Sequence, residues 1–276
     1  MTCCTTCPHT CCLGEGFYGL CRSRCGRDDE VVAEGYGRIT SLALDPIEKK
    51  PISCWRGGTT VLSLGSYGCN MRCPFCQNAS IAQVGPDEVG WRVVSPGEIV
   101  ETALGLSARR CIGIAYTYNE PLINWEFLRD TGRMAHEEGL VNVLVSNGMA
   151  AERVVREIAP LIDAANIDLK CFTDEGYRSL GGDLTTVKRT IELLAEMPTC
   201  HLEVTTLVVP GLSDDEVQIE EMALWLASLD SSIPYHLTRF FPQHRMTDVA
   251  PTPRATLEHL KTIAERHLET VLLGNV

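Results

Sequence analysis

Basic residues are scarce. Only 24 lysines and arginines stand against 36 aspartates and glutamates, a formal net charge of −12 at pH 7. A surface of that sign repels phosphate backbones and anionic headgroups, so neither nucleic acid nor a membrane is an expected partner. The sequence also lacks any uninterrupted apolar run long enough for a bilayer, and it does not open with a basic stretch followed by an apolar one. A cytoplasmic location is therefore expected.

Cysteine, by contrast, is abundant and unevenly placed. Of 14 cysteines, seven (Cys3, Cys4, Cys7, Cys11, Cys12, Cys21, Cys25) fall in the first 25 residues and three (Cys69, Cys73, Cys76) in one short stretch; Cys54, Cys111, Cys171 and Cys200 are scattered. A disulfide framework belongs to short secreted chains with a signal peptide. The clustering here reads instead as metal ligation.

Residues 1–30 have no hydrophobic periodicity and are rich in Cys, Gly and Thr, so a bound metal is what could hold them. They are expected to form a metal-binding appendage to a catalytic domain spanning 31–276. After a connecting segment containing "YGRITSLALDP", short apolar runs recur at 60–65, 111–116, 141–146, 165–169, 202–209 and 235–240, with a weaker seventh at 270–274. Helical patterns lie between them. Ser95-Pro96-Gly97-Glu98 has the spacing of a capping box with proline at the first helical position, Ser213 and Glu216 repeat that spacing, and Thr252-Pro253 opens a helix ending near His267. Alternating strands and helices predict an α/β fold with a parallel sheet. A partial (β/α)6 barrel of the TIM type is expected; an open doubly wound sheet shares the pattern. Both bind ligands at the C-terminal ends of the strands, which makes residues just after each run the functional candidates.

Cys69, Cys73 and Cys76 form a C-x3-C-x2-C array directly after the first run. Thiolates suit soft iron-sulfur clusters or zinc, and a tight loop can aim several at one centre. Three cysteines where a four-iron cubane needs four ligands leave one iron open. A structural zinc site completed by Cys54 or a histidine is the plainer alternative.

With Phe75 before its last cysteine, this loop resembles the defining motif of the radical S-adenosylmethionine (SAM) superfamily. "AYTYNEP", "VSNG", "NIDLK", "YRSLGG" and "HLTRFFP" are similar to the branch of pyruvate formate-lyase activating enzyme. "CPHTCCLGEGFYGLC", "GCNMRCPFCQN", "YTYNEP" and "RFFP" together resemble the radical SAM protein of the AmmeMemoRadiSam gene neighbourhood. The resemblance implies a [4Fe-4S] cluster whose open iron takes the amino and carboxylate groups of SAM. It further implies reductive cleavage to a 5'-deoxyadenosyl radical, hydrogen abstraction from a small-molecule or protein substrate, and an electron donor such as flavodoxin or ferredoxin. Activation of a glycyl radical enzyme is the second reading within it; a non-catalytic zinc or iron-sulfur protein is the third.

Asn119 and Glu120 occupy the place where such relatives meet the SAM amino group, although an acidic residue at a helix start also has a purely structural use. Ser146 and Asn147 could bond ribose hydroxyls or serve as turn residues. Asp168 and Lys170 share one face of a strand end and could hold the SAM amino and carboxylate groups, or neutralise each other. His236 is a candidate by resemblance alone, and Arg239 could fork onto a carboxylate or phosphate. Cys4, Cys7, Cys11 and Cys21, with His9 nearby, match the related subfamily in spacing. They could close a second site for zinc or iron-sulfur, although the neighbouring Cys3, Cys12 and Cys25 blur the ligand set.

Overall fold

The computed structural model describes residues 1–276. Eight strands form one sheet: β1 (Ser41–Pro46), β2 (Thr60–Gly65), β3 (Cys111–Tyr116), β4 (Val141–Ser146), β5 (Ala164–Asp168), β6 (His201–Val208), β7 (Tyr235–Arg239) and β8 (Val271–Gly274). They lie side by side in chain order, and β2 to β8 are all parallel. A doubly wound sheet would reverse its strand order at a switch point. This one never does, and its edges β1 and β8 are not paired, so it is an open, partial barrel.

The six expected β/α units are present, β2 to β7 each followed by helix, and the weak seventh run adds a final parallel strand, β8. One feature differs from the expectation. The segment read as a mere connection supplies β1, antiparallel to β2 with Ser41 opposite Gly65. Its alternation is muted because it is an edge strand, half-exposed along most of its length.

The inward and outward faces of the strands separate two cores. Outward residues such as Leu62, Ile114, Leu144, Ile167 and Val204 join the main core under the helices. These helices are α1 (Pro96–Gly105), α2 (Trp125–Glu137), α3 (Glu152–Ile158), α4 (Asp174–Ser179), α5 (Leu184–Ala195), α6 (Glu216–Leu229) and α7 (Arg254–Ala264). Inward Val61, Ala115, Val143 and Ala164 meet Ile47 and Ile52 from the β1–β2 connection, which plugs the barrel at the N-terminal ends of its strands. That connection also reaches β5, where Asn166 Nδ2 donates to the Pro51 carbonyl at 2.8 Å. A segment joining β1 to β2 can touch β5 only if the sheet curls.

Helix α1 starts as its sequence predicts: Glu98 N donates to Ser95 Oγ at 3.3 Å, and Ser95 N returns a bond to the Glu98 carboxylate at 2.7 Å. Helix α6 does not. Asp215 is its N-cap, receiving Gln218 N at 3.0 Å, while Ser213 Oγ bonds backward to the β6 end at Leu207 O and Val209 N. Helix α7 begins at Arg254 without a side-chain cap and ends at Ala264; Thr252 is committed to the Val208 carbonyl.

Beside the plug lies a buried polar knot. Glu203, fully buried, accepts from Ser53 N (3.1 Å) and Cys54 N (2.9 Å) and pairs with His201 at 2.8 Å and with His236. Burial alone would raise this carboxyl, but those bonds outweigh it and hold it near pH 2. Because the folded value lies below the ordinary 4.5, the stabilisation is complete above that pH and fades as the pH falls toward 2. Glu203→Gln should therefore cost about 2–4 kcal/mol near neutral pH. Urea unfolding at pH 7 and pH 3 should show the gap between variant and wild type narrowing at the lower pH. A gap that widens there would contradict the assignment.

Candidate active site

The cysteine loop leaves β2 at Gly65 and is held from three sides. Asn119, after β3, accepts from Ser66 N at 2.9 Å and donates to the Tyr67 and Gly68 carbonyls at 3.1 Å each. The β7–α7 connection donates Arg245 N to the Pro74 carbonyl at 2.8 Å, and Arg72 N donates to Leu180 O at 2.7 Å. The N-terminal tract closes the third side: Gly68 has φ +83°, and a Cβ there would fall 2.2 Å from the Cys21 carbonyl oxygen. Phe75 is 4 % exposed and belongs to the main core. It anchors the loop, and Asn119 braces it.

Within this frame the three thiols are brought together. Cys69 feels the charge of both others and Cys73 that of Cys76, and Cys73 and Cys76 both face the Lys170 ammonium. Burial pushes the Cys73 thiol up to about 11 and holds Cys69 well above the ordinary thiol range, with the Glu120 carboxylate adding to the effect at Cys69. Two donors lie on the Cys69 sulfur at 3.4 Å, Met71 N and Asn147 Nδ2. Such donors, and a lysine, suit an anionic metal-thiolate centre. Thiolates of a cubane each bind a different iron, and three thiols on one loop can supply that.

Glu120 is 2 % exposed and ties two strand ends together. It accepts from Ser146 Oγ (2.7 Å), Leu122 N (2.9 Å) and Asn147 N (2.8 Å). Burial raises its pKa to about 7 against the pull of those bonds. It is thus both the N-cap of the turn at Pro121–Asn124 and a neighbour of Cys69. Ser146 is occupied by Glu120 and by Gly148 N, and Asn147 by Cys69, Asn70 and Met149 N. Asp168 and Lys170 pair at 2.9 Å. Burial works against the ammonium, but Asp168 and Cys73 outweigh it and hold the group above the usual lysine range.

Two candidates are placed differently. His236 does not reach the cysteine loop: it lies near the start of β7, bound to Glu203 at the plugged end, because period-two alternation fixes a face but not a height along the barrel. Arg239 does sit at the C-terminal end of β7, where its Nε donates to the Thr252 carbonyl at 2.7 Å and its guanidinium covers Phe241. Sequence reasoning missed Asn70 and Tyr177. Asn70 receives Asn147 Nδ2 at 3.1 Å and donates to the Met149 carbonyl, and the Tyr177 hydroxyl accepts from Lys170 N at 3.0 Å. Asn70 had a signal in its position beside Cys69; Tyr177, inside "YRSLGG", had none that named its partner.

The N-terminal tract docks around this end of the barrel. Two hairpins shape it, Thr2–Cys3 with Cys12–Leu13 and Arg24–Arg27 with Glu30–Ala33. Arg24 forks onto Glu126 at 2.7 and 3.0 Å, and Ala151 N donates to Thr6 O at 2.9 Å. Cys3 and Cys12 form a disulfide, while Cys4, Cys7, Cys11 and Cys21 stay free and line one pocket with His9.

Three thiols on a loop at the C-terminal end of the first parallel strand define a class, and comparison with known proteins agrees. The Radical SAM superfamily model matches residues 64–225. An uncharacterized protein of Methanocaldococcus jannaschii is 38% identical over 99% of this chain and 81% of its own length. Pyruvate formate-lyase 1-activating enzyme of Escherichia coli K12 is 24% identical over 74% of this chain and 88% of its own. Among solved structures, Streptococcus suis SuiB bound to S-adenosylmethionine superposes with a TM-score of 0.59 at 12% identity, covering 78% of this chain and 52% of that one. The chain belongs to the radical SAM superfamily and is an enzyme of that class. No helix is long and apolar enough to cross a membrane.

The close approach at Gly68 yields a prediction. Gly68→Ala combines a disfavoured backbone with a clash against the Cys21 carbonyl, so it should destabilise by more than about 1 kcal/mol. Limited proteolysis should show the N-terminal tract cut first and faster than in wild type; equal cutting rates would mean that the tract does not rest on this glycine.

Proposed function

We propose that Cys69, Cys73 and Cys76 hold a [4Fe-4S] cluster and that this end of the barrel binds SAM beside it. The carrying observation is the position of the three thiols on one loop at the strand ends, with Lys170 facing Cys73 and Cys76. When bound, the cluster would supply one electron and SAM would be split by it into methionine and a 5'-deoxyadenosyl radical able to abstract hydrogen from a substrate. The residues around them set the conditions. Lys170 balances the negative charge of thiolates, and Asn147 and the Met71 amide donate to the sulfur of Cys69. Asp168, at 37% side-chain exposure the more open partner of its pair, offers a carboxylate to the SAM amino group. Glu120 holds the ends of β3 and β4 in register beneath it.

The reading extends to a division at residue 30 into a cysteine-rich appendage and a barrel, to a cytoplasmic enzyme, and to flavodoxin or ferredoxin as electron donor. It also takes in kinship with the AmmeMemoRadiSam-type radical SAM protein. Similarity to pyruvate formate-lyase activating enzyme favours one second reading, activation of a glycyl radical enzyme, in which the substrate is a protein.

Anaerobically reconstituted protein reduced with dithionite should give a cluster EPR signal that SAM alters, with formation of 5'-deoxyadenosine. Cys73→Ala should abolish both. Retention of either in the variant would refute the ligand assignment, and a glycyl radical formed on co-incubation with a candidate protein substrate would select the second reading. Removing a donor from the Cys69 sulfur by Asn147→Leu should move the cluster midpoint potential to a more negative value; a spectroelectrochemical titration with no shift would remove Asn147 from that role.

A further inference from the structure

We infer that the N-terminal tract carries a second [4Fe-4S] cluster on Cys4, Cys7, Cys11 and Cys21, wired to the cysteine loop through Asn70 and Asn147. Four thiols from one tract face a common pocket while the adjacent Cys3 and Cys12 are withdrawn into a disulfide, so the tract separates ligands from structural cysteines. The pocket wall supplies an independent observation. Thr6 (2 % exposed) and Arg24 (6 % exposed) both line it, and Thr6 Oγ1 and Arg24 Nε are buried without a hydrogen-bond partner. Buried donors left unpaired cost about 1–3 kcal/mol each, and an anionic thiolate-sulfide centre is the acceptor that would satisfy them.

The link to the cysteine loop is short. Asn70 neighbours Cys7, whose thiol it pulls down against the effect of burial, and its carboxamide oxygen receives Asn147 Nδ2 at 3.1 Å. The same Asn147 nitrogen lies 3.4 Å from Cys69 Sγ. His9 Nε2 meets the Asn70 carbonyl at 2.7 Å. One electron from a reduced flavodoxin- or ferredoxin-type protein, which is itself oxidised by one electron, would pass to the N-terminal cluster and on to the loop, with no bond or proton moved. The site stands without the SAM reading; the wiring rests on it.

The test uses the full chain, reconstituted anaerobically with iron and sulfide and analysed for iron, sulfide and zinc. Wild type should hold about eight irons, and the Cys69→Ala/Cys73→Ala/Cys76→Ala variant about four, with a reduced EPR signal that SAM leaves unchanged. Cys7→Ser/Cys11→Ser should also hold about four, with a SAM-sensitive signal. Loss of all iron in the triple variant, or zinc surviving there in place of iron, overturns the proposal. The triple variant decides this even if the Cys7/Cys11 variant does not fold. Iron equal to wild type in the triple variant would instead sink the SAM reading and leave the N-terminal cluster standing. For the wiring, Asn70→Leu should keep its iron yet slow reduction of the loop cluster by reduced flavodoxin by about tenfold, the equivalent of about 1.4 kcal/mol in barrier. An unchanged rate at full iron content rules the wiring out.

Discussion

A buried cation must find a counter-charge, and Lys170 finds one in Asp168 at 2.9 Å while facing Cys73 and Cys76. Taking an ammonium from water costs several kcal/mol that a single carboxylate seldom recovers in full. The arrangement becomes favourable when the thiols it faces are ionised, which is the state metal ligation imposes. Protonated and buried, the thiols resist ionisation, as the rise of Cys73 to about 11 records. The ammonium that Asp168 already holds and the thiols it faces thus become complementary once those thiols ionise.

The two ends of the barrel handle buried charge in opposite ways. At the plugged end Glu203 accepts two backbone amides and two histidines, and the knot is satisfied within the protein. At the other end donors gather on sulfur, Glu120 stays high at about 7, and pocket-lining donors are left unpaired. Satisfied polar groups fix a fold; unpaired donors lining a pocket of thiols are groups that an exogenous acceptor could satisfy. Placing His236 in the first category follows from its height along β7, not from its residue type.

Much of the fold could be read because parallel strands are buried on both faces and appear as compact apolar runs; β4 coincides with its run and β5 and β6 begin one residue earlier. Strand β1 escaped because an edge strand need not be apolar. The Ser213 cap failed for a local reason: Asp215, two residues on, has the same capping ability and lies nearer the first helical turn. At the site, spacing was enough for Cys69, Cys73 and Cys76, whose partners are sequence neighbours. It could not show that Asn119 and Phe75 hold the loop, or that Asn147 turns to sulfur, since those roles depend on which loops meet in space.

The N-terminal tract shows how little secondary structure a segment needs once it is pinned. Its hairpins are two and four residues per strand, too short to fold alone. What fixes it are tethers to the barrel: Arg24 on Glu126, the Thr6 carbonyl on Ala151 N, His9 on Asn70, and Gly68 under the Cys21 carbonyl. Three of these reach the cysteine loop or the turn after β4 that carries Asn147. Ordering the tract therefore orders the loop, and whatever binds the pocket of Cys4, Cys7, Cys11 and Cys21 contributes free energy to both.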